Sequence, residues 1–167
     1  MDIRNELLIE FDKEVASTRK ILEAIPDNAD YSWKPSEKSM ALGALAGHIT
    51  DMTGDWGVHT LTLDKLEFGP DHKWEPFRPT SRAQVLEKFE GGLAATRAAL
   101  ESIAPEKWDE RWQFVWGGQV VIDEPRYRVF RGLVMSHLVH HRAQLGAYIR
   151  ILGGKLPGIY GPSADEM

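Results

Sequence analysis

Four long stretches of this chain repeat their apolar residues at the spacing of one helix face, and a proline- or glycine-bearing break separates each from the next. The first, residues 3–25, carries Leu7, Leu8, Phe11, Val15, Ile21, Leu22 and Ile25, and Pro26 stops it. The second is expected from about Met40 to Leu66, with Ser39 as its N-cap and a stripe through Ala41, Leu45, Ile49, Met52, Trp56 and Leu63. Its glycines, Gly43, Gly47, Gly54 and Gly57, weaken the helix but permit close approach of a neighbour. Residues 67–80 hold Gly69, Pro70, Pro76 and Pro79 and read as a loop. Ser81-Arg82-Ala83-Gln84 then matches a capping box that opens a third helix to about Ile103. The fourth helix is expected to start at Asp123-Glu124-Pro125, with the proline in its first turn, and to run to about Leu152. Gly153-Gly154 and Pro157 end it.

Stripes of this kind must face one another, so the expected fold class is all-α, a four-helix bundle. The exception lies before the last helix. Trp112, Phe114 and Trp116 alternate, Gly117-Gly118 follows, and Val120-Val121-Ile122 comes next, which reads as one short hairpin. The long connections at 67–80 and 104–124 leave the order of the helices open.

At 167 residues the chain is expected to be a single domain over 1–167. With 43 % hydrophobic residues and six tryptophans it has the apolar content that a disordered chain lacks. A net charge of −5 argues against a nucleic-acid partner, whose binding faces are basic. The absence of cysteine excludes a disulfide scaffold, thiolate catalysis, cysteine-ligated zinc and iron–sulfur clusters, and points to a reducing compartment. The acidic start, Met1-Asp2-Ile3-Arg4-Asn5-Glu6, is unlike a signal peptide, and no run reaches the ~18 apolar residues of a membrane span. The expected location is the cytoplasm.

Six histidines remain to be placed. With 100° per residue and His137 at zero, the apolar face of the fourth helix centres near +60°, His141 falls at about +40° and His140 at about −60°. His137 and His141 are thus an inward i, i+4 pair whose imidazoles converge from adjacent turns, while His140 sits at the edge. On the second helix Leu45, Met52 and Trp56 lie within about 80° of His48, so His48 is also inward. Three inward imidazoles admit two readings. They are a three-ligand metal site with an open position, the pattern of catalytic zinc, or a packed, hydrogen-bonded core. His59 lies three turns beyond His48, too far to share an ion with it, and is expected at the bundle end, with His72 exposed in a loop. Asp51 and Asp55 flank the inward face of the second helix, either as carboxylates that orient an imidazole or as a solvated edge. Gln144 and Tyr148 fall near the same face, as pocket lining or ordinary packing, and Trp108, Trp112 and Trp116 as core or dimer surface.

The order of these elements resembles the DinB family. The resemblance rests on Trp33-Lys34-Pro35 leading to Leu45-Ala46-Gly47-His48, on His137-Leu138-Val139-His140-His141-Arg142-Ala143-Gln144-Leu145, and on Gly153-Gly154-Lys155-Leu156-Pro157 with Tyr160-Gly161-Pro162-Ser163. It implies a four-helix bundle, a homodimer, and a metal triad at His48, His137 and His141. Three neutral imidazoles suit Zn, Ni, Cu or Fe, and zinc or nickel is the expected ion. Bacillithiol S-transferases and mycothiol-dependent maleylpyruvate isomerases are relatives in which a metal activates a low-molecular-weight thiol. The function implied is therefore a metal-dependent enzyme that activates a small-molecule thiol, or water, for transfer or hydrolysis. The alternatives are a metal- or small-ligand-binding stress protein without turnover, and a dimerising module whose site has lost its use.

Overall fold

A computed structural model describes residues 2–73 and 75–167; Met1, and Trp74 within the expected 67–80 loop, lie outside the described residues. Over half of these residues are helical. The first helix, α1 (Ile3–Glu23), starts at Asp2, whose carboxylate accepts from the Arg4 and Asn5 amides. Helix α2 (Leu42–Thr53) follows, then α3 (Asp55–Thr62) and a short strand β1 (Lys65–Phe68). Helix α4 (Arg82–Ser102) has Ser81 as its N-cap, accepting from the Gln84 amide. The Gln84 side chain takes the Thr80 amide instead of closing a reciprocal box on Ser81. A 3-10 turn (Pro105–Trp108) leads to β2 (Arg111–Trp116) and β3 (Gln119–Pro125). The last helical rod is α5 (Arg126–Val129), a π-helical segment (Phe130–Ser136) and α6 (His137–Ile151), joined end to end.

Four helical rods enclose the core. Helix α1 packs on α4 and α6, and α2 packs on the same two from the other side. Phe11, Leu22, Leu45, Ile49, Phe89, Leu100, Phe130, Leu138, Leu145 and Ile149 all bury their side chains in one shared cluster. Helix α6 is held against α1 by a buried ion pair. The Arg142 guanidinium donates to the Glu14 carbonyl (3.0 Å) and lies 2.7 Å from the Glu14 carboxylate, and the Tyr160 hydroxyl donates to the same carboxylate (2.7 Å).

The expected bundle is therefore present, but the all-α class with a lone hairpin is not what forms. The hairpin β2–β3 turns through Gly117 (φ 55°) and Gly118 (φ 79°), the left-handed pair that a two-residue turn requires. Strand β1 then adds to β2 in parallel, Lys65 opposite Gln113 through Phe68 opposite Trp116, giving a three-stranded sheet in the order β1-β2-β3. A parallel pair needs a long crossover, and here α4 lies within it. Trp112 and Trp108 are buried beneath, and only Trp116 of the three keeps an exposed face.

The expected 40–66 helix is likewise divided. Gly54 leaves the helical region (φ −109°, ψ −102°), and the chain restarts at Asp55. The cause is close packing against α4, since a Cβ on Gly92 would lie 2.7 Å from the Gly54 Cα. Ser39 bonds Ser36 and does not cap α2, whose N-cap is Ala41. Pro125 is the N-cap of α5 and not its first-turn residue. The sheet end of the bundle is tied to it by Arg126, 1 % exposed, whose guanidinium donates to the carbonyls of Thr60, Leu63 and Lys107 and to Asp64. Among the described residues no helix is long and apolar enough to cross a membrane.

The Gly54–Gly92 contact makes a paired prediction. Gly92→Ala should cost about 1–3 kcal/mol by overpacking. Gly91→Ala, where an added Cβ meets nothing within 4 Å, should gain about 0.5–1 kcal/mol from helix propensity. Urea unfolding of both variants checks this, and equal midpoints would contradict the contact.

Candidate metal centre

Helix α2 delivers His48 and α6 delivers His137 and His141 to one point between them. The ligand atoms of the three lie within 4.8 Å of one another, with His48 and His137 half-buried and His141 buried. The Nε2 atoms of His137 and His141 are 2.8 Å apart, and those of His48 and His137 are 3.4 Å apart. His140, on the next face, is exposed and outside the cluster.

The remaining ring nitrogens decide what this point can hold. Nδ1 of His141 lies 2.7 Å from the Gln144 amide oxygen, which only accepts, so Nδ1 carries the proton and Nε2 a lone pair. The His137 ring is hydrogen-bonded to the Leu133 carbonyl, one turn back in the π-helical segment. With its Nε2 turned to the other imidazoles, Nδ1 is the donor there and Nε2 again presents a lone pair. Two lone pairs 2.8 Å apart repel unless a cation sits between them. Burial pushes all three rings below the ordinary imidazole range, His48 to about 4, with His141 and His137 adding to the effect at His48. A proton is thus disfavoured as that cation. Donors ~2.0–2.1 Å from a tetrahedral centre stand ~3.3–3.4 Å apart, the spacing of the His48–His137 pair (3.4 Å), and a divalent ion would open the 2.8 Å His137–His141 pair by about half an ångström. The other ring nitrogens of His137 and His141 are already held, as metal-bound imidazoles require.

Asp51 and Asp55 do not orient these imidazoles. Asp55 is exposed and pairs with Lys88 at 3.3 Å. Asp51 is 3 % exposed, and its carboxylate has no hydrogen bond or ion pair with any described residue. Burial, then Asp55, pushes its carboxyl up to about 6 against the weaker pull of Lys88 and Arg78. His59 lies outside the cluster, its carbonyl accepting from the Trp112 indole (3.3 Å). Tyr148 donates to the Met40 carbonyl and meets Trp33 edge-on, which is packing. The sequence reading missed Arg142, Glu14 and Leu133. Arg142 was open to it, because the residue after His141 projects ~100° further round the helix, into the seam with α1.

The family model described as the DinB family matches residues 1–167. Among solved structures, the chain is similar to a DinB-like protein from Bacillus cereus, with 25 % identity over 92 % of this chain and 95 % of that one and a TM-score of 0.69. It shares its fold with a DinB-like protein from Bacillus subtilis, at 21 % identity over 92 % and 96 % of the two chains and a TM-score of 0.68. No curated protein matches.

His48 and Asp51 give opposite pH dependences in metal-free protein. His48 is neutral when folded, so its contribution falls as pH drops from 6.5 toward about 4 and the unfolded chain takes up the proton. Asp51 holds a proton that the unfolded chain releases, so the folded state gains as pH drops from about 6 toward 3.8. Asp51→Asn removes only the second effect. The variant should be about 1–2 kcal/mol more stable than the parent at neutral pH and lose that advantage in acid. Urea unfolding from pH 7.5 to 4.5 measures it, and a gap that does not change with pH would contradict it.

Proposed function

The chain belongs to the DinB family, and on that premise we propose that it is a metal-dependent enzyme in which His48, His137 and His141 hold a divalent ion. The observation that carries this reading is the convergence of three imidazoles, the Nε2 atoms of His137 and His141 standing 2.8 Å apart with His48 beside them. Zinc or nickel suits three neutral imidazoles. When bound, such an ion supplies a Lewis acid that lowers the pKa of a thiol or water at its open position. The substrate is a small molecule, and a low-molecular-weight thiol is the one the family resemblance favours; a chain with no cysteine of its own is compatible with a nucleophile that arrives with the substrate.

The protein's own groups do the holding. Gln144 fixes the tautomer of His141, and the Leu133 carbonyl fixes that of His137. Burial keeps all three rings unprotonated at neutral pH, so an ion competes with few protons for them. The homodimer implied by the family resemblance draws on Trp116, Val120 and Val121, the exposed apolar residues of the hairpin. Light scattering at micromolar concentration should give twice the chain mass, and a monomer would reject it.

His48→Ala, His137→Ala and His141→Ala should each lose the ion, because a three-ligand site has no spare donor. His140→Ala should keep it, and Gln144→Leu should bind it about 10–100-fold more weakly. Elemental analysis after zinc loading and dialysis reads these outcomes. Bound zinc should stabilise the fold by about 4 kcal/mol at a thousandfold excess over Kd. A melting temperature indifferent to chelator, or loss of zinc in His140→Ala with retention in His137→Ala, would overturn the assignment. In cobalt-loaded protein, added 2-mercaptoethanol should produce a thiolate charge-transfer band, which this cysteine-free chain cannot supply itself. Metal binding without that band would favour the non-catalytic binding protein.

A further inference from the structure

Beside α2 lies a second concavity, a cavity of about 580 Å³, within the range of small-molecule sites. Asp51, Asp55 and His59 line one side, and Phe68, His72 and Phe77 line another. None of the three clustered histidines is among its lining residues. Phe68 and His72 are stacked, with ring centroids 4.1 Å apart and planes within 11°. Asp51 faces this space as a carboxylate 3 % exposed, with no hydrogen bond or ion pair from any described residue. Two lysines line the cavity, Lys73 and Lys88; Lys88 is engaged with Asp55, and neither pairs with Asp51. An ionised carboxylate that deep is costly unless a cation meets it, and aromatic walls favour a cation over an anion.

We propose that this cavity binds the protonated amine of a small organic ligand, with the ammonium group on the Asp51 carboxylate and the Phe68–His72 stack and Phe77 as apolar walls. Asp51 stands one turn beyond His48 on α2, so the two sites are neighbours on one helix, although none of the three histidines lines the cavity. The amine site does not rest on the metal assignment above.

The test therefore uses metal-free protein. Benzylammonium should bind saturably, followed by calorimetry or by chemical-shift changes. Benzyl alcohol, its neutral counterpart, and benzoate should each bind at least about tenfold more weakly, the loss expected when a charge-assisted contact is removed. Asp51→Asn should weaken benzylammonium by at least about tenfold and leave zinc binding at the three histidines unchanged. Equal binding of benzylammonium and benzyl alcohol to the parent protein would overturn the proposal. So would tighter binding of benzoate, no saturation at millimolar concentrations, or undiminished binding in a folded Asp51→Asn variant. If that variant does not fold, the comparison of the three ligands on the parent protein decides alone. Failure of the histidine variants to lose zinc would count against the metal assignment and leave the amine site standing.

Discussion

The rotation of α6 about its own axis is the constraint on which the site depends, and Arg142 sets it. This guanidinium is 3 % exposed and its partner Glu14 is 7 % exposed. Breaking a pair that deep leaves an unmatched buried charge, at a cost of about 3–5 kcal/mol. Arg142 therefore has one place to point, toward α1. His141 precedes it by ~100° of helix and is thereby turned the other way, toward α2. His137, one turn earlier, follows. The ion pair adds little net energy over a well-packed apolar pair, but it fixes which face of α6 carries the imidazoles to His48. Tyr160 donates to the same carboxylate, so the chain beyond α6 takes part in setting the angle.

Around the imidazoles the structure works against protonation. Burial dominates the lowering at each ring, and the other histidines add to it. The same burial acts on Asp51 with the opposite result, because it opposes charge of either sign and a carboxyl escapes charge by keeping its proton. Two residues one turn apart on α2 thus respond to one environment in opposite directions. Neither response needs a specific partner, which is why both survive on a helix whose neighbours are mostly apolar.

What could be read from the residues was whatever a helix makes local. The inward placement of His48, His137 and His141 follows from rotation alone, since 100° per residue holds within each helix regardless of what packs outside it. The hairpin was equally legible, because Gly117-Gly118 is a local signal for a left-handed turn. The break at Gly54 was not, because it is set by Gly92, on another helix, and a glycine in a stripe reads the same whether it bends or not. Strand β1 was hidden for a similar reason. Lys65-Leu66 falls at the end of the expected helix and Glu67-Phe68 at the start of the expected loop, and only pairing with β2 makes the four a strand. Gln144 was seen near the right face, yet its role as the partner of His141 depends on a side-chain hydrogen bond that spacing does not specify.

The parallel pairing of β1 with β2 also orders the assembly of the chain. Strands β2 and β3 meet through two glycines, so they can zip on the microsecond scale of an isolated hairpin. Strand β1 must wait, because α4 lies between it and its partner and the entropy of closing that long loop is recovered only once α4 has docked on α1 and α2. Until then the β1-facing edge of β2 is an unpaired row of amides and carbonyls beside Phe114 and Trp116, the kind of edge through which chains associate wrongly. The interval between hairpin closure and α4 docking is thus when this chain is most exposed to aggregation.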